Sequence, residues 1–192
     1  MTTTDPASMT APVSSAPPPG PAAPTVGSGL LRSALRGHAS GVAVLTAATP
    51  AGPAGVTITS FTSVSAEPAL VSFALAESSS TWSKIKDCRR FGIQLLSAAQ
   101  RDVAERFAAV GVDRFAPPTR WRTGPHGVPL LDDCLAWLVC ARHHQLRLGD
   151  HQLTVCSVEH VRTGSLGDSL VHLHGALRSA PGTPPSSESS ER

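Results

Sequence analysis

Tyrosine is absent from the 192 residues, and Phe and Trp raise the aromatic content to only 4%. Stacking on a planar ligand therefore falls to Phe, Trp or His. Net charge is only +2 with the basic residues scattered, which gives no electrostatic case for a nucleic-acid partner. No apolar run approaches the ~18–20 residues that span a bilayer. The N-terminus lacks a charged stretch followed by an apolar one, so no secretory signal is read there, and a cytoplasmic protein that does not engage membranes is expected. No GxGxxG or GxxxxGK(S/T) pattern occurs, so neither a Rossmann site nor a P-loop is supported. No serine sits in a GxSxG elbow and no cysteine has a clear catalytic setting, so hydrolase chemistry is not indicated. If the chain is an enzyme, its reactivity resides in a bound cofactor.

Cys88, Cys134, Cys140 and Cys156 show no CxxC spacing, and three of them fall in apolar strand-like runs. Reduced, buried thiols are expected. The eight histidines include the neighbours His143 and His144, which point to opposite faces of a strand, and His172 and His174, which would share one. Without a carboxylate or thiolate at ligand spacing, no metal site is expected.

Residues 1–27 are rich in Ala, Pro, Ser and Thr and read as a disordered tail, as do residues 180–192; one domain occupies 28–179. Leu30, Leu31, Ala34 and Leu35 predict a helix with Ser28 as its N-cap. Val42–Thr49 and Gly55–Ser65 predict a hairpin. With Ala69–Ala76 after the Glu67–Pro68 break, they make an antiparallel meander. Hydroxyls recur through the second of these strands at Thr57, Thr59, Ser60, Thr62, Ser63 and Ser65, more than a core strand tolerates. A second cluster, Ser78–Thr81, precedes a short helix whose Trp82 and Ile85 face inward and whose Lys84 and Lys86 face outward. Such hydroxyls suit either a capped helix or a phosphate.

Arg90–Leu96 reads as a strand, and Ser97 with Gln100 as a capping box opening a helix with Val103, Phe107 and Val110 on one face. Gly111–Pro129 reads as a loop. Cys134–Leu148 and Gln152–Val161 form a long hairpin around Gly149–Asp150, with His151 at its rim, and Leu170–Leu177 is a final strand. The count gives a mainly β protein, an antiparallel barrel with short helices at its margins.

The segments GVAVLTA, GVTITSFTSVSAEPALVSFALAESSST, RFGIQLLSAAQRDVAERFA, DRF, WRTGPHGVPLLDDCLAWLVC and GDHQLTVCSVEHV, in that order from about Leu30 to Val161, resemble the flavin reductase-like family of FMN-binding split barrels. These are the small reductase components of two-component flavin monooxygenases. The resemblance implies a six-stranded Greek-key split barrel, usually a homodimer, that binds FMN or FAD and reduces it with NADH or NADPH for a partner monooxygenase. It implies that Thr57, Ile58, Thr59 and Ser60 run beside the isoalloxazine, with Ser63 and Ser65 continuing that wall. Ser79, Ser80 and Thr81 would meet the phosphate. Phe107, Asp113, Arg114 and Phe115 would close the ribityl and ring side, with Arg114 the charge near a phosphate. His151 matches the histidine on the nicotinamide side, in a positioning role. In the last strand an aromatic-His-x-Gly-Arg-aromatic pattern is replaced by His172, Leu173, His174, Gly175, Ala176 and Leu177. The alternatives are an FMN-retaining split-barrel oxidoreductase acting on an organic substrate, and a flavin-binding homologue without reductase activity.

Overall fold

The computed structural model describes residues 26–164 and 167–182. The tails expected at 1–27 and 180–192 lie, through Thr25 and from Thr183 onward, outside the described residues. Two units are distinguished, one ending at Leu35 and one beginning at Arg36. In the first, α1 (Ser28–Leu35) starts at Ser28 itself rather than after it, and none of its residues is buried. Everything that follows belongs to the second.

Its strands are β1 (Ser40–Gly41), β2 (Ala43–Thr49), β3 (Gly52–Ile58), β4 (Thr62–Ser65), β5 (Leu70–Ala76), β6 (Arg90–Leu95), β7 (Trp121–Thr123), β8 (Pro129–Leu131), β9 (Ala136–Leu148), β10 (His151–Thr163), β11 (Ser169–Leu173) and β12 (Ala176–Ala180). Two short α-helices, α2 (Ser80–Ile85) and α3 (Arg101–Ala108), and two 3-10 turns, Ala98–Gln100 leading into α3 and Pro125–Gly127, interrupt them. Seven strands form one antiparallel sheet in the order β3-β2-β6-β9-β10-β5-β4; β1-β11-β12 and β7-β8 form two small sheets. The main sheet has seven strands and is not closed, so the mainly antiparallel β class holds while the six-stranded closed barrel is not what the pairings give.

The expected meander is broken in an informative place. Residues 55–65 are not one strand: β3 pairs β2 at one edge of the sheet, and β4 pairs β5 at the other. Three residues, Thr59–Phe61, carry the chain between the two edges. Ser60 fastens them, its hydroxyl donating to the Ala74 carbonyl at 2.7 Å and accepting from the Ala74 amide at 3.0 Å. The β4 pairing ends at Thr62 and Ser72, and this one serine takes up the backbone pair of β5 left open just beyond it.

The main core lies on one face of this sheet, where Leu45, Phe73, Phe91 and Ile93 are fully buried. Phe73 and Phe91 meet edge to face with centroids 5.3 Å apart, the arrangement ring quadrupoles favour. A second cluster packs Ala104 and Phe107 of α3 against Val42, Val44 and Leu96. The predicted capping box is present: Gln100 Oε1 accepts from the Ser97 amide at 3.2 Å. Val110, expected on the apolar face of α3, instead lies beyond its end and is 90% exposed.

Two further expectations change. The Gly111–Pro129 loop contains β7, which pairs with β8. The final strand is a hairpin: Leu173 pairs with Ala176 around His174 (φ 52°) and Gly175 (φ 78°), both left-handed, as a two-residue primed turn demands. His174 thus leaves the strand and does not share a face with His172. β12 runs to Ala180, and the Gly182 amide donates to Asp168 at 3.1 Å. The four cysteines are free thiols, Cys134, Cys140 and Cys156 buried and Cys88 half-buried, as expected.

Candidate functional site: a cleft between β3, α2 and the segment after α3

The start of β3 opens onto a cleft of about 440 Å³. Pro53, Ala54 and Gly55 line it, as do Val110, Gly111 and Val112, which follow α3. Ser80, Thr81 and Lys84 of α2 line it together with Arg114 and Phe115.

Gly55 is required by close packing: a Cβ there would stand 2.9 Å from the Leu45 carbonyl oxygen and 2.9 Å from Phe107 Cε1. Phe107 is fully buried beneath this lining and meets Phe115 edge to face at 5.2 Å. It supports the cleft from below and presents no surface to it. Phe115 in turn meets Trp121 at 5.3 Å, and the Trp121 indole donates to the Phe115 carbonyl at 3.1 Å.

Arg114 ties the lining together. Its Nη1 donates to the Gly55 carbonyl at 2.5 Å and to Thr81 Oγ1 at 2.8 Å, and Nη2 donates to the Ala109 carbonyl at 2.7 Å. Partial burial draws its pKa below the usual arginine value, but a guanidinium remains charged. Lys84 adds a second, exposed cation. Asp113 is the one carboxylate on the lining; its Oδ1 accepts from the Phe115 and Ala116 amides at 3.0 and 3.2 Å. The cleft therefore gathers two cations and the hydroxyls of Ser80 and Thr81 on a mostly polar lining, a donor set suited to an anion attached to a larger body.

Several hydroxyls expected beside the ligand make hydrogen bonds within the fold. Thr57 Oγ1 donates to the Ala104 carbonyl at 2.6 Å and pins α3 to β3. Ser79 is the N-cap of α2, accepting from the Trp82 amide at 3.3 Å. The side chain of Ile58 belongs to the core. Thr59 and Ser60 are exposed in the crossover, while Ser63 and Ser65 stand on edge strand β4. None of the residues from Thr57 to Ser65 lines the cleft, nor does His151.

His151 opens β10, exposed, with Nδ1 2.7 Å from Asp150 Oδ1. It lies between Ala76 of β5 and Leu148 of β9, and the next row on the same sheet face is Ala74, Leu153 and Leu146. That face is the reverse of the one carrying Phe73 and Leu75, on which the hairpin tip instead presents Gln152 and Arg147 beside Leu75. Leu146 and Leu148 are 42% and 54% exposed.

Lys84 was missed as a cleft residue, although Ser80 and Lys84 at i, i+4 share one helix face. A second cleft of about 460 Å³ holds Arg120, Arg122 and Arg162, but Asp133 meets Arg120 at 3.3 Å and Asp132 meets Arg122, leaving less net charge for an anion.

The flavin reductase like domain model matches residues 35–181. The chain belongs to the flavin reductase-like family. The NADH:FMN oxidoreductase of Rhodococcus qingshengii is 38% identical over 130 residues, 68% of each chain. A Rhizobium meliloti relative is 41% identical over 126 residues, 65% of this chain but only 40% of its own length. Among solved structures, BorF, the flavin reductase component of a bacterial two-component tryptophan halogenase, is 30% identical with a TM-score of 0.75, covering 82% of this chain and all of its own. Family membership thus rests on nearly the whole described chain.

Proposed function

We propose that this flavin reductase-like chain is an NAD(P)H:flavin oxidoreductase that supplies reduced flavin to a partner flavin-dependent monooxygenase. The observation that carries the reading is the continuity of β3. Its Ala54–Gly55 end borders Thr81, Lys84 and Arg114, and its other end runs straight into Ile58–Ser60. A phosphate and a flat ring joined by a short chain need such an extended wall with cations at one end.

The donor set fits FMN or FAD. Ser80, Thr81, Lys84 and Arg114 would hold phosphate through side-chain donors, and α2, at six residues, adds little from its end. The backbone of Ile58–Ser60 would border the ring, with Ser63 and Ser65 beyond it. Phe107 and Phe115 stiffen the phosphate end, which matters because reacting groups must be held in place. Bound flavin supplies the hydride-accepting chemistry, and the protein supplies orientation. His151, held by Asp150, would position the nicotinamide without moving a proton.

The apolar reverse face around Leu146, Leu148 and Leu153 supports a homodimer, since leucines gathered on one exposed sheet face call for a second layer. The edge-joining crossover at Thr59–Phe61 supports the split-barrel description. Four free cysteines suit the reducing cytoplasm, where NAD(P)H is present, and among the described residues no helix is long and apolar enough to cross a membrane. The test is steady-state oxidation of NADH and NADPH with added FMN, FAD or riboflavin. Flavin-dependent turnover is expected with at least one nucleotide, and none with either would overturn the reading.

A further inference from the structure

Two histidines 34 residues apart in the chain bring their Nε2 atoms to 3.4 Å. His126 sits in the Pro125–Gly127 turn between β7 and β8, and His160 stands on β10. Their rings are tilted by 47° with centroids 5.4 Å apart, and His126 Nε2 also lies 3.5 Å from Glu159 Oε2. All three side chains reach solvent, and none lines the cleft of the flavin reading.

The backbone explains the convergence. Glu159 and His160 are adjacent on a strand and would ordinarily point to opposite faces. The β9–β10 register slips at this point, Val158 pairing with Cys140 and His160 with Val139, so Glu159 is the extra residue of a bulge and both side chains reach His126. His126 meets them from a left-handed backbone, φ 57°. Arg90 Nε and Nη2 donate to the two Glu159 oxygens at 2.8 and 3.2 Å, which fixes the carboxylate and balances its charge. Spacing along the sequence does not reveal this pair, since only the fold brings the turn to the bulge.

A single hydrogen on His126 Nε2 can go to His160 or to Glu159, and both separations are long for that bond. The nitrogen pair has the spacing of metal ligands: on a tetrahedral ion with metal–nitrogen bonds of about 2.0–2.1 Å, two ligands stand about 3.3–3.4 Å apart. Among the described residues no three His, Cys, Asp or Glu side chains are grouped as ligands of one ion. The protein would thus supply two nitrogens and water the remaining positions, with Glu159 accepting from a bound water. Imidazole pairs suit zinc and its neighbours, whereas Mg²⁺ seeks oxygen.

We propose that His126 and His160 form a two-nitrogen site for a transition-metal dication of the zinc class, which clips the β7–β8 turn to β10.

The experiment strips the full chain with a chelator and titrates it calorimetrically with Zn²⁺, Ni²⁺, Co²⁺ and Mg²⁺. One equivalent of Zn²⁺ is expected, Ni²⁺ binding tighter than Co²⁺, and no Mg²⁺. The Co²⁺ spectrum should lack a thiolate charge-transfer band, which separates the site from Cys88. His126→Asn, chosen because Asn tolerates the left-handed φ, and His160→Gln should each weaken Zn²⁺ at least tenfold. Zn²⁺ should raise Tm of the wild type and of neither variant, while His172→Gln changes nothing. Zn²⁺ binding that survives both substitutions, a thiolate band, or a loss on His172→Gln assigns the ion to other groups and overturns the inference. No binding at millimolar metal overturns it as well. Metal-free melts separate loss of a ligand from loss of fold, and His160→Gln decides alone if His126→Asn does not fold.

Discussion

Arg114 Nη1 lies 2.8 Å from Thr81 Oγ1, and the same nitrogen reaches the Gly55 carbonyl at 2.5 Å. One guanidinium thereby joins the segment after α3 to both β3 and α2. Removing it should weaken the phosphate end of the site and leave the ring end alone. Arg114→Ala is expected to raise the Kd for FMN about tenfold, or ~1.4 kcal/mol, and that for riboflavin by less than about threefold. Arg114→Lys should not restore it, because a single ammonium cannot reach three acceptors from one position. Comparing FMN and riboflavin titrations decides this; equal losses for both would assign Arg114 to the fold alone.

His151 stands apart from the cleft, on the apolar reverse face beside Ala76 and Leu148. His151→Ala is expected to raise KM for NAD(P)H about tenfold while the flavin Kd stays within about twofold. Stopped-flow reduction of pre-bound flavin separates the two, and a loss confined to flavin affinity would remove the positioning role.

Gly55 has no room for a methyl group on either side. Gly55→Ala should cost about 1–3 kcal/mol through overpacking against the Leu45 carbonyl and Phe107, read as a lower midpoint in urea. A coupled Phe107→Leu change should recover part of the loss at the Phe107 contact but none at the backbone contact.

Glu159 accepts from Arg90 Nε at 2.8 Å and Nη2 at 3.2 Å, and His126 approaches it at 3.5 Å. The hydrogen bond from Arg90, with smaller help from nearby charge, holds its carboxyl below the usual range. A depressed folded-state pKa stabilises above the unfolded value and is lost as pH falls through the folded value. Glu159→Gln should therefore lower Tm by roughly 1–3 °C near neutral pH, the scale of an exposed pair. The difference should shrink as pH drops below about 4.3, the unfolded carboxyl value. Calorimetry between pH 3 and 7 measures it.

Much of the architecture was legible because alternation and turn chemistry act locally. Val71, Phe73 and Leu75 announce one inward face, Gly149–Asp150 announces the long hairpin, and Ser97 with Gln100 announces α3. The switch between sheet edges was not legible, since the hydroxyls from Thr57 to Ser65 run on without a break and only tertiary pairing separates β3 from β4. The turn at His174–Gly175 was hidden because its first position is not glycine.

The candidate site was legible in a different measure. Thr81, Arg114 and Phe115 do meet at one cleft. Thr57, Ser60 and Ser79 look alike in sequence, yet their hydroxyls hold α3, the sheet edge and an N-cap. Hydroxyl content announces hydrogen bonds without saying whether the partner is protein or ligand. Lys84 was treated as a solvent-facing charge because nothing local reveals that the segment after α3 stands opposite it.

The Thr59–Phe61 crossover also bears on the order of events when the chain folds. Its strands are neighbours in sequence but sit at opposite ends of the strand order; Ser60 meets Ala74 as soon as the local β4–β5 hairpin forms, whereas β3 and β4 share one sheet only once the five strands between them are paired. The β9–β10 hairpin can form early from local pairing, whereas the joining of the edges is a late, entropically costly closure. The proposed ring wall is thus among the last parts of the molecule to exist, and a partly folded chain would not hold flavin.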